Sequence, residues 1–167
     1  MKKLLTAFAL LFAASAVNAQ SYIGAGVMHL DAEEIALNSV TVTYDYKPTN
    51  NFSLQIGLAA GGDDTINDPF AGNVEFKLDY SLSAKGKLGT MVGNSFLYAM
   101  AGYANFNLEA RARALGFTVS QDGNGSLFGA GVDFGISNTW GFGVEYARGF
   151  GDLEDTNLLQ ATLQYRF

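Results

Sequence analysis

The chain contains few side chains of the types that carry out catalysis. It has one histidine, His29, and no cysteine, so disulfide frameworks and thiolate metal sites are excluded. His29 precedes Leu30 and Asp31, and no Gly-x-Ser-x-Gly or His-x-Ser motif accompanies it. Because an activated nucleophile needs a base within reach, we predict no catalytic residues and interpret His29 as a residue at a strand end.

The glycine run Gly129-x-Gly131-x-x-x-Gly135 is superficially similar to a nucleotide-binding fingerprint. In such fingerprints the glycines follow a strand and open a helix. Here the run lies inside a segment in which apolar residues alternate with small ones. We therefore predict that these glycines pack in the interior of a sheet, and we predict neither cofactor-binding nor metal-binding residues.

Length and charge exclude further classes. The chain has 167 residues, 49% of them hydrophobic, and carries 10 Lys and Arg against 16 Asp and Glu, a formal charge of -6. This length suits one domain, and the apolar content is too high for a disordered chain. Nucleic-acid binders need Lys and Arg to neutralise phosphates, so we predict no nucleic-acid partner.

The first nineteen residues read as a signal peptide. Lys2 and Lys3 precede an apolar run over 4–17, and the segment ends in the small residue Ala19, as signal peptidase requires. The alternative is an uncleaved anchor helix, but the run is shorter than the roughly 20 apolar residues that span a bilayer. We predict a cleaved signal peptide over 1–19 and one domain over 20–167.

After Ala19 the dominant pattern is an alternation of period two, which indicates strands. In 74–88 the even positions are mostly apolar and the odd positions hold all the charges, a split that a strand makes and a helix does not. In 96–110 we assign Tyr98, Met100, Ala104, Phe106 and Leu108 to the apolar face, with Tyr103, Asn105, Asn107 and Glu109 opposite. Eight such segments are predicted, over 22–29, 40–47, 52–59, 74–88, 96–110, 128–136, 140–147 and 159–167.

Alternation does not say which face is inside, because a soluble barrel alternates equally well. Three features favour apolar residues outside: small residues crowd the polar face, short connections (48–51, 89–95, 137–139) alternate with long ones (31–38, 61–73, 115–124, 149–157), and aromatic residues gather beside the short connections. These are the features of membrane barrels. The predicted aromatic girdle comprises Tyr46, Phe52, Phe96, Tyr98, Trp140, Tyr165 and Phe167.

Together, the leader, the eight alternating segments, the opening Tyr22-Ile23-Gly24-Ala25-Gly26 and the closing Leu163-Gln164-Tyr165-Arg166-Phe167 resemble small outer-membrane β-barrel proteins of the OmpA/OmpX type. The resemblance covers the whole mature chain. It implies an all-β, eight-stranded, antiparallel, up-and-down transmembrane barrel in the cell outer membrane, in contact with lipid and lipopolysaccharide. It also implies that the outer-membrane assembly machinery reads an alternating signal formed by Leu163, Tyr165 and Phe167.

The charges on the polar face are nearly balanced, which favours pairing inside the barrel. Because unpaired buried charges are costly, we predict a salt-bridge network that closes the interior. The alternative is a narrow, porin-like polar conduit for small or apolar solutes. The predicted network comprises Glu75, Lys77, Asp79, Glu109, Arg111, Asp133, Glu145 and Arg166, with Asp45, Lys47, Lys85 and Lys87 also facing inward.

The long connections are acidic and contain no Lys or Arg. We interpret them as a solvated external rim, with cation bridging as the alternative, although no connection has the full spacing of a calcium loop. We therefore expect a monomeric, non-enzymatic barrel that serves envelope integrity or surface contact. The acids are Asp31, Glu33, Glu34, Asp63, Asp64, Asp68, Asp122, Asp152, Glu154 and Asp155.

Overall fold

A computed structural model of the chain describes residues 20–32, 35–68, 72–112 and 117–167. The predicted signal peptide (1–19) and the acids Glu33 and Glu34 lie outside these residues. Nine antiparallel strands form the described part of the chain. They are β1 (Gln20–Ala32), β2 (Ile35–Thr49), β3 (Phe52–Ala60), β4 (Asp63–Asp68), β5 (Gly72–Val92), β6 (Ser95–Ala112), β7 (Phe117–Gly135), β8 (Trp140–Gly151) and β9 (Thr156–Arg166).

The strands close into a barrel with eight positions in its wall. Neighbouring strands pair in the order β3-β2-β1-β9-β8-β7-β6-β5-β4, and β3 also pairs with β5, which closes the sheet. β3 and β4 lie end to end along β5 and share one position. They are separated by Gly61 and Gly62, which have φ angles of 79° and 92°, a region that favours glycine. The predicted eight-stranded fold is confirmed.

In seven of the eight predicted segments the side chains lie on the expected faces of the sheet, in one of them over part of its length only. Ile23 and Val27 of β1 are exposed on the outer surface, whereas Met28 is buried. The same division holds in β2, β3, β7, β8, β9 and the 80–88 part of β5, where apolar side chains face outward and polar or small ones face inward. Within the described residues no helix is long and apolar enough to cross a membrane.

The face assignment of β6 is wrong. Phe96, Tyr98, Met100, Ala104 and Phe106 are buried inside the barrel, whereas Leu97 and Tyr103 are about half exposed on its outside. The physical reason lies in the register with β7, where Tyr98 pairs with Gly131 and Phe106 with Gly123. A Cβ atom at Gly131 would lie 2.6 Å from the Tyr98 ring. The glycines of β7 therefore leave the space that the large β6 side chains occupy.

The alternation of β5 is interrupted by a bulge at Asp79. Leu78 pairs with Leu108, but the next pair along the ladder is Tyr80 with Asn107. An extra residue shifts every side chain beyond it to the other face. Leu78 is consequently fully buried, and the side chains of Lys77 and Asp79 are 52% and 46% exposed.

The two ends of the barrel differ. At the turn end, the connections between β2 and β3, β5 and β6, and β7 and β8 are short, and both the first and last strands have a terminus there. At the opposite loop end, the pairing continues through much of what we predicted as loops, so that 31–32, 35–38 and 117–124 are strand. An apolar core fills the interior near the loop end and includes Met28, Leu30, Leu37, Leu78, Phe106, Leu127 and Leu153.

The fit of Phe106 against Gly123 provides a test of the β6 orientation. A Cβ atom at Gly123 would overlap the Phe106 ring, so Gly123→Ala should lower the free energy of unfolding by about 1–3 kcal/mol. Adding Phe106→Leu should recover part of this loss. The matched control is Gly86→Ala, where the nearest atom to the new Cβ would lie 3.8 Å away. Urea titration in lipid vesicles gives the free energy of unfolding of the wild type and of these three variants. Equal losses for Gly123→Ala and Gly86→Ala would contradict the inward orientation of Phe106.

Candidate functional site

Four charged side chains meet inside the barrel, on the turn side of the apolar core that lies near the loop end. They are Asp45 of β2, Lys85 and Lys87 of β5, and Glu145 of β8. Each is at least nine-tenths buried, and Lys87 is 1% exposed. Because their positions alternate with lipid-facing apolar residues such as Tyr44, the strand period itself turns them inward. We call these four residues the charge cluster.

Lys87 is the centre of the charge cluster. Its Nζ lies 3.0 Å from Asp45 Oδ1 and 3.5 Å from Glu145 Oε2, and thus joins opposite walls of the barrel. Lys85 forms a second ion pair with Glu145. Each buried carboxylate is therefore compensated by at least one ammonium group, the condition under which buried charge is tolerated.

Neutral side chains complete the charge cluster. Gln55 Nε2 donates to both oxygens of Asp45, at 3.1 and 3.0 Å. Tyr98 Oη lies 3.3 Å from Glu145 Oε2 and 3.5 Å from Asp133 Oδ1. Gln164 Nε2 donates to Asp133 Oδ1 at 3.1 Å. A continuous network of polar contacts thus joins β2, β3, β5, β6, β7, β8 and β9.

The spaces on the two sides of the charge cluster are unequal. Toward the loop end, a cavity of only about 30 Å³ lies between the cluster and the apolar core, which is room for about one water molecule. Toward the turn end, a cavity of about 480 Å³ is lined by Asp45, Lys47, Asp133 and Arg166 together with turn residues. Of these two cavities, the wide one lies at the turn end.

Five of the eight predicted network residues do not face the interior of the barrel. The bulge at Asp79 places Lys77 and Asp79 on the outer face near the loop end. Glu109 and Arg111 lie there too, because the two faces of β6 are the reverse of those predicted. The prediction that these four residues face the lumen is wrong. Lys77 pairs with Asp79 at 3.5 Å and Arg111 with Glu109 at 2.9 Å. In the ladder Glu75 lies opposite Arg111 and Lys77 lies opposite Glu109, so these residues are neighbours on a different face from the one predicted.

The other three predicted network residues lie inside the barrel at different depths. Glu145 belongs to the charge cluster, Asp133 contacts it through Tyr98, and Arg166 lines the cavity at the turn end. The sequence argument recognised Asp45, Lys85 and Lys87 as inward-facing but did not place them at the centre. Their similar distance in sequence from the short turns was the signal, because residues at equal distances from the turns lie at similar heights.

The remaining predicted residues are divided between the outer surface and the interior. His29 Nδ1 is 2.9 Å from Asn38 Oδ1 across the β1–β2 ladder. No group of three acidic or histidine residues in the described ranges is arranged to hold a metal ion. Trp140 and Tyr165 form an edge-to-face pair with ring centroids 5.1 Å apart, and Leu163 and Phe167 are exposed on the same face. Phe96 and Tyr98, by contrast, are buried and do not belong to the girdle.

The sequence matches a known protein family along nearly its whole length. The family model of the outer membrane protein beta-barrel domain matches residues 4–167. No curated protein sequence matches the chain.

Solved structures share the fold at low sequence identity. Ail, the attachment invasion locus protein of Yersinia pestis, has a TM-score of 0.57 at 17% identity, covering 89% of this chain and 97% of Ail, and was solved with the heparin analogue sucrose octasulfate. The N-terminal β-barrel domain of Pseudomonas aeruginosa OprF has a TM-score of 0.60 at 16% identity, with 89% and 97% covered. Neisserial surface protein A has a TM-score of 0.62 at 12% identity, with 89% and 95% covered.

The two lysines Lys87 and Lys77 form a matched pair for testing the charge cluster. Lys87→Met leaves Asp45 and Glu145 without their shared cation, so we expect a loss of about 3–5 kcal/mol in the free energy of unfolding. Lys77→Met removes a half-exposed ion pair and should cost less than about 1 kcal/mol. Urea unfolding in vesicles reports both values. Adding Asp45→Asn to Lys87→Met should restore part of the stability, and strict additivity of the two changes would show that they do not interact.

Proposed function

The chain belongs to the outer membrane protein beta-barrel domain family and is an integral protein of the cell outer membrane; from this premise we propose that it is a closed, monomeric, non-enzymatic barrel. In this proposal the barrel wall anchors the protein and does not conduct solutes. The acidic loop end makes contacts at the cell surface. The function is therefore one of surface contact and envelope integrity rather than transport.

The charge cluster is the single observation that carries the closed state. Its side chains cross the lumen from β2 to β8 and are compensated in place, so moving one would expose an unpaired buried charge. The apolar core adds a second barrier, since Leu30, Leu37 and Leu127 are nearly fully buried above the cluster. A solute would have to disrupt both layers.

The outer surface supports the membrane orientation. Outward-facing apolar side chains such as Ile56, Leu82 and Phe142 form the surface that contacts lipid. Short turns face the periplasm in this class of barrel and longer connections face outside, so the loop end is external. In this proposal Arg148, which pairs with Asp155 at 3.1 Å near the loop end of β8, is the cation that meets lipopolysaccharide phosphates.

The second candidate function, a narrow channel, rests on the cavity of about 480 Å³ at the turn end. Planar-bilayer recordings separate the two functions. If the barrel is closed, bilayers that contain the folded protein should conduct no more than protein-free bilayers, whereas an open porin added to the same bilayers should produce discrete steps. Reproducible steps from the folded protein alone would overturn the closed barrel and establish the channel.

We also propose that the assembly machinery reads Leu163, Tyr165 and Phe167 on the outer face of β9. Phe167→Asp should strongly reduce the amount of protein in the outer membrane of cells, because the signal loses its terminal aromatic ring. Refolding of the purified variant into detergent should change little, since no machinery acts there. The control is Gln164→Ala on the inward-facing side of β9. We expect this change to affect the outer-membrane level and the refolding yield to the same extent. Normal outer-membrane levels of Phe167→Asp would refute the proposal.

A further inference from the structure

The cavity of about 480 Å³ at the turn end has the size of pockets that hold small organic molecules. Glycines provide part of this space, because the two inward-facing positions of β8 nearest the turn end are Gly141 and Gly143. The exposed turn 137–139 and Asn94 lie at its mouth. We call this cavity the vestibule. It opens to solvent at one end and meets the charge cluster at Asp45.

Lys47 of β2 reaches across the vestibule without meeting a carboxylate. Its Nζ lies 3.7 Å from the centroid of the Phe96 ring of β6 and 3.4 Å from Met91 Sδ. A ring face attracts a cation but carries no net charge. Among the described residues no acid forms an ion pair with Lys47, whereas Lys85 and Lys87 are each paired with a buried carboxylate. Lys47 is therefore the inward-facing lysine that lacks a counter-charge.

Arg166 of β9 brings a second cation to the vestibule. It lies opposite Tyr22 in the β1–β9 ladder and lines the same cavity as Lys47. No acid in the described ranges forms an ion pair with its guanidinium. The acid nearest along the wall is Asp133, which instead accepts a hydrogen bond from Gln164, two residues before Arg166. Both unpaired cations thus face one solvent-accessible space.

The charges between the apolar core and the turn end do not cancel. The charge cluster is neutral, since it contains two lysines and two acids. Beyond it, the two cations of the vestibule face one carboxylate, which leaves an excess of one positive charge. Low-dielectric walls concentrate the field of such a site and solvate its cations poorly, so the site attracts an anion. The inward-facing charged side chains are Lys47, Lys85, Lys87 and Arg166, and Asp45, Asp133 and Glu145.

We propose that the vestibule binds a small organic monocarboxylate. Its carboxylate accepts hydrogen bonds from the Lys47 ammonium and the Arg166 guanidinium, the donors that suit this group best. Its apolar body packs beside Met91 and Phe96, which already surround the Lys47 ammonium. One negative charge balances the excess, whereas a dianion would bring a further negative charge toward Asp133.

This site goes beyond the surface role proposed above and does not depend on it. Only the side from which the ligand enters, the periplasm, rests on the orientation proposed there. In micelles of a nonionic detergent both ends of the barrel are accessible, so binding can be measured whichever end faces the periplasm.

Benzoate is the probe, and the protein carries its own reporter. Trp140 is the one tryptophan of the chain and lines the vestibule, so its fluorescence in detergent micelles should change saturably as benzoate is added. Lys47→Gln should raise the benzoate Kd about tenfold or more, because a charge-assisted hydrogen bond is lost. Lys47→Arg keeps the charge and should retain binding. The matched control, Lys77→Gln on the outer face, should leave the Kd within about twofold of wild type.

Arg166 provides an independent variant. Arg166→Gln should also raise the benzoate Kd about tenfold, and Arg111→Gln near the loop end is its control. Arg166 is exposed at the end of the last strand, so we expect its barrel to fold even if Lys47→Gln does not. Heat-dependent gel mobility shows which variants have folded, since closed barrels unfold only on heating.

Neutral and doubly charged relatives of the probe test the role of charge. Benzamide has the same shape without the charge and should not bind, and phthalate, a dianion, should bind more weakly than benzoate. Added salt should weaken benzoate binding, because it screens the two cations. Absence of saturable benzoate binding, an unchanged Kd in the folded Lys47→Gln and Arg166→Gln variants, or equally tight binding of benzamide would each overturn the proposal.

Failure of this site and failure of the closed barrel give different results. Bilayer conductance of the same preparations reports the state of the lumen. A closed barrel that does not bind benzoate would overturn the vestibule site alone. A barrel that binds benzoate and also conducts would overturn the closed state alone.

Discussion

The narrow interior of an eight-stranded barrel is the constraint on which the rest of the structure depends. Closing the sheet satisfies the backbone but forces every second residue into a space that only side chains can fill. Lys87, Asp45 and Glu145 can occupy this space only together, because each charge requires the others. The large rings of Tyr98 and Phe106 likewise require glycines on the adjoining strand. Each charge of the cluster thus needs an opposite charge at its own height on another strand, and each large ring needs a glycine at its height on the adjoining strand.

The sequence predicts the fold well, since period-two alternation survives in strands whose two faces meet different environments. The signal is clear in β2 and β9, where lipid-facing apolar residues alternate with buried polar ones. It fails in β6, where both faces are apolar: Leu97 and Tyr103 contact the surroundings, and Phe96 and Met100 fill the interior. Only the partner strand distinguishes these alternatives, because its glycines show where large side chains fit. That information lies in the register, which alternation alone does not fix.

The site was harder to predict than the fold for a related reason. The alternation of faces along each strand identified Asp45, Lys85 and Lys87 as inward-facing. Which of these side chains meet, however, depends on their heights along the barrel axis. The prediction also assumed that the β5–β6 ladder has no bulge. The bulge at Asp79 instead places Lys77 on the outer surface. The inserted residue thus moves Lys77 and Asp79 to the outer surface, and the reversed faces of β6 place Glu109 and Arg111 there as well. Charged residues beyond a bulge carry little information about the interior.

The same bulge changes the direction of the side chains of β5 between the barrel wall and the loop end. Without it, Phe76 and Val74 would continue the outward-facing series of Leu82 and Leu88 along β5. With it, they turn toward the barrel axis together with Leu78, and the sheet changes which face is apolar as it leaves the wall. On the turn side of the bulge, apolar residues such as Leu82 and Leu88 face outward; on the loop side, Leu78 is buried in the interior and Phe76 and Val74 continue the inward-facing series. A single irregularity in one strand thus reverses which face of the sheet is apolar between the wall and the loop end.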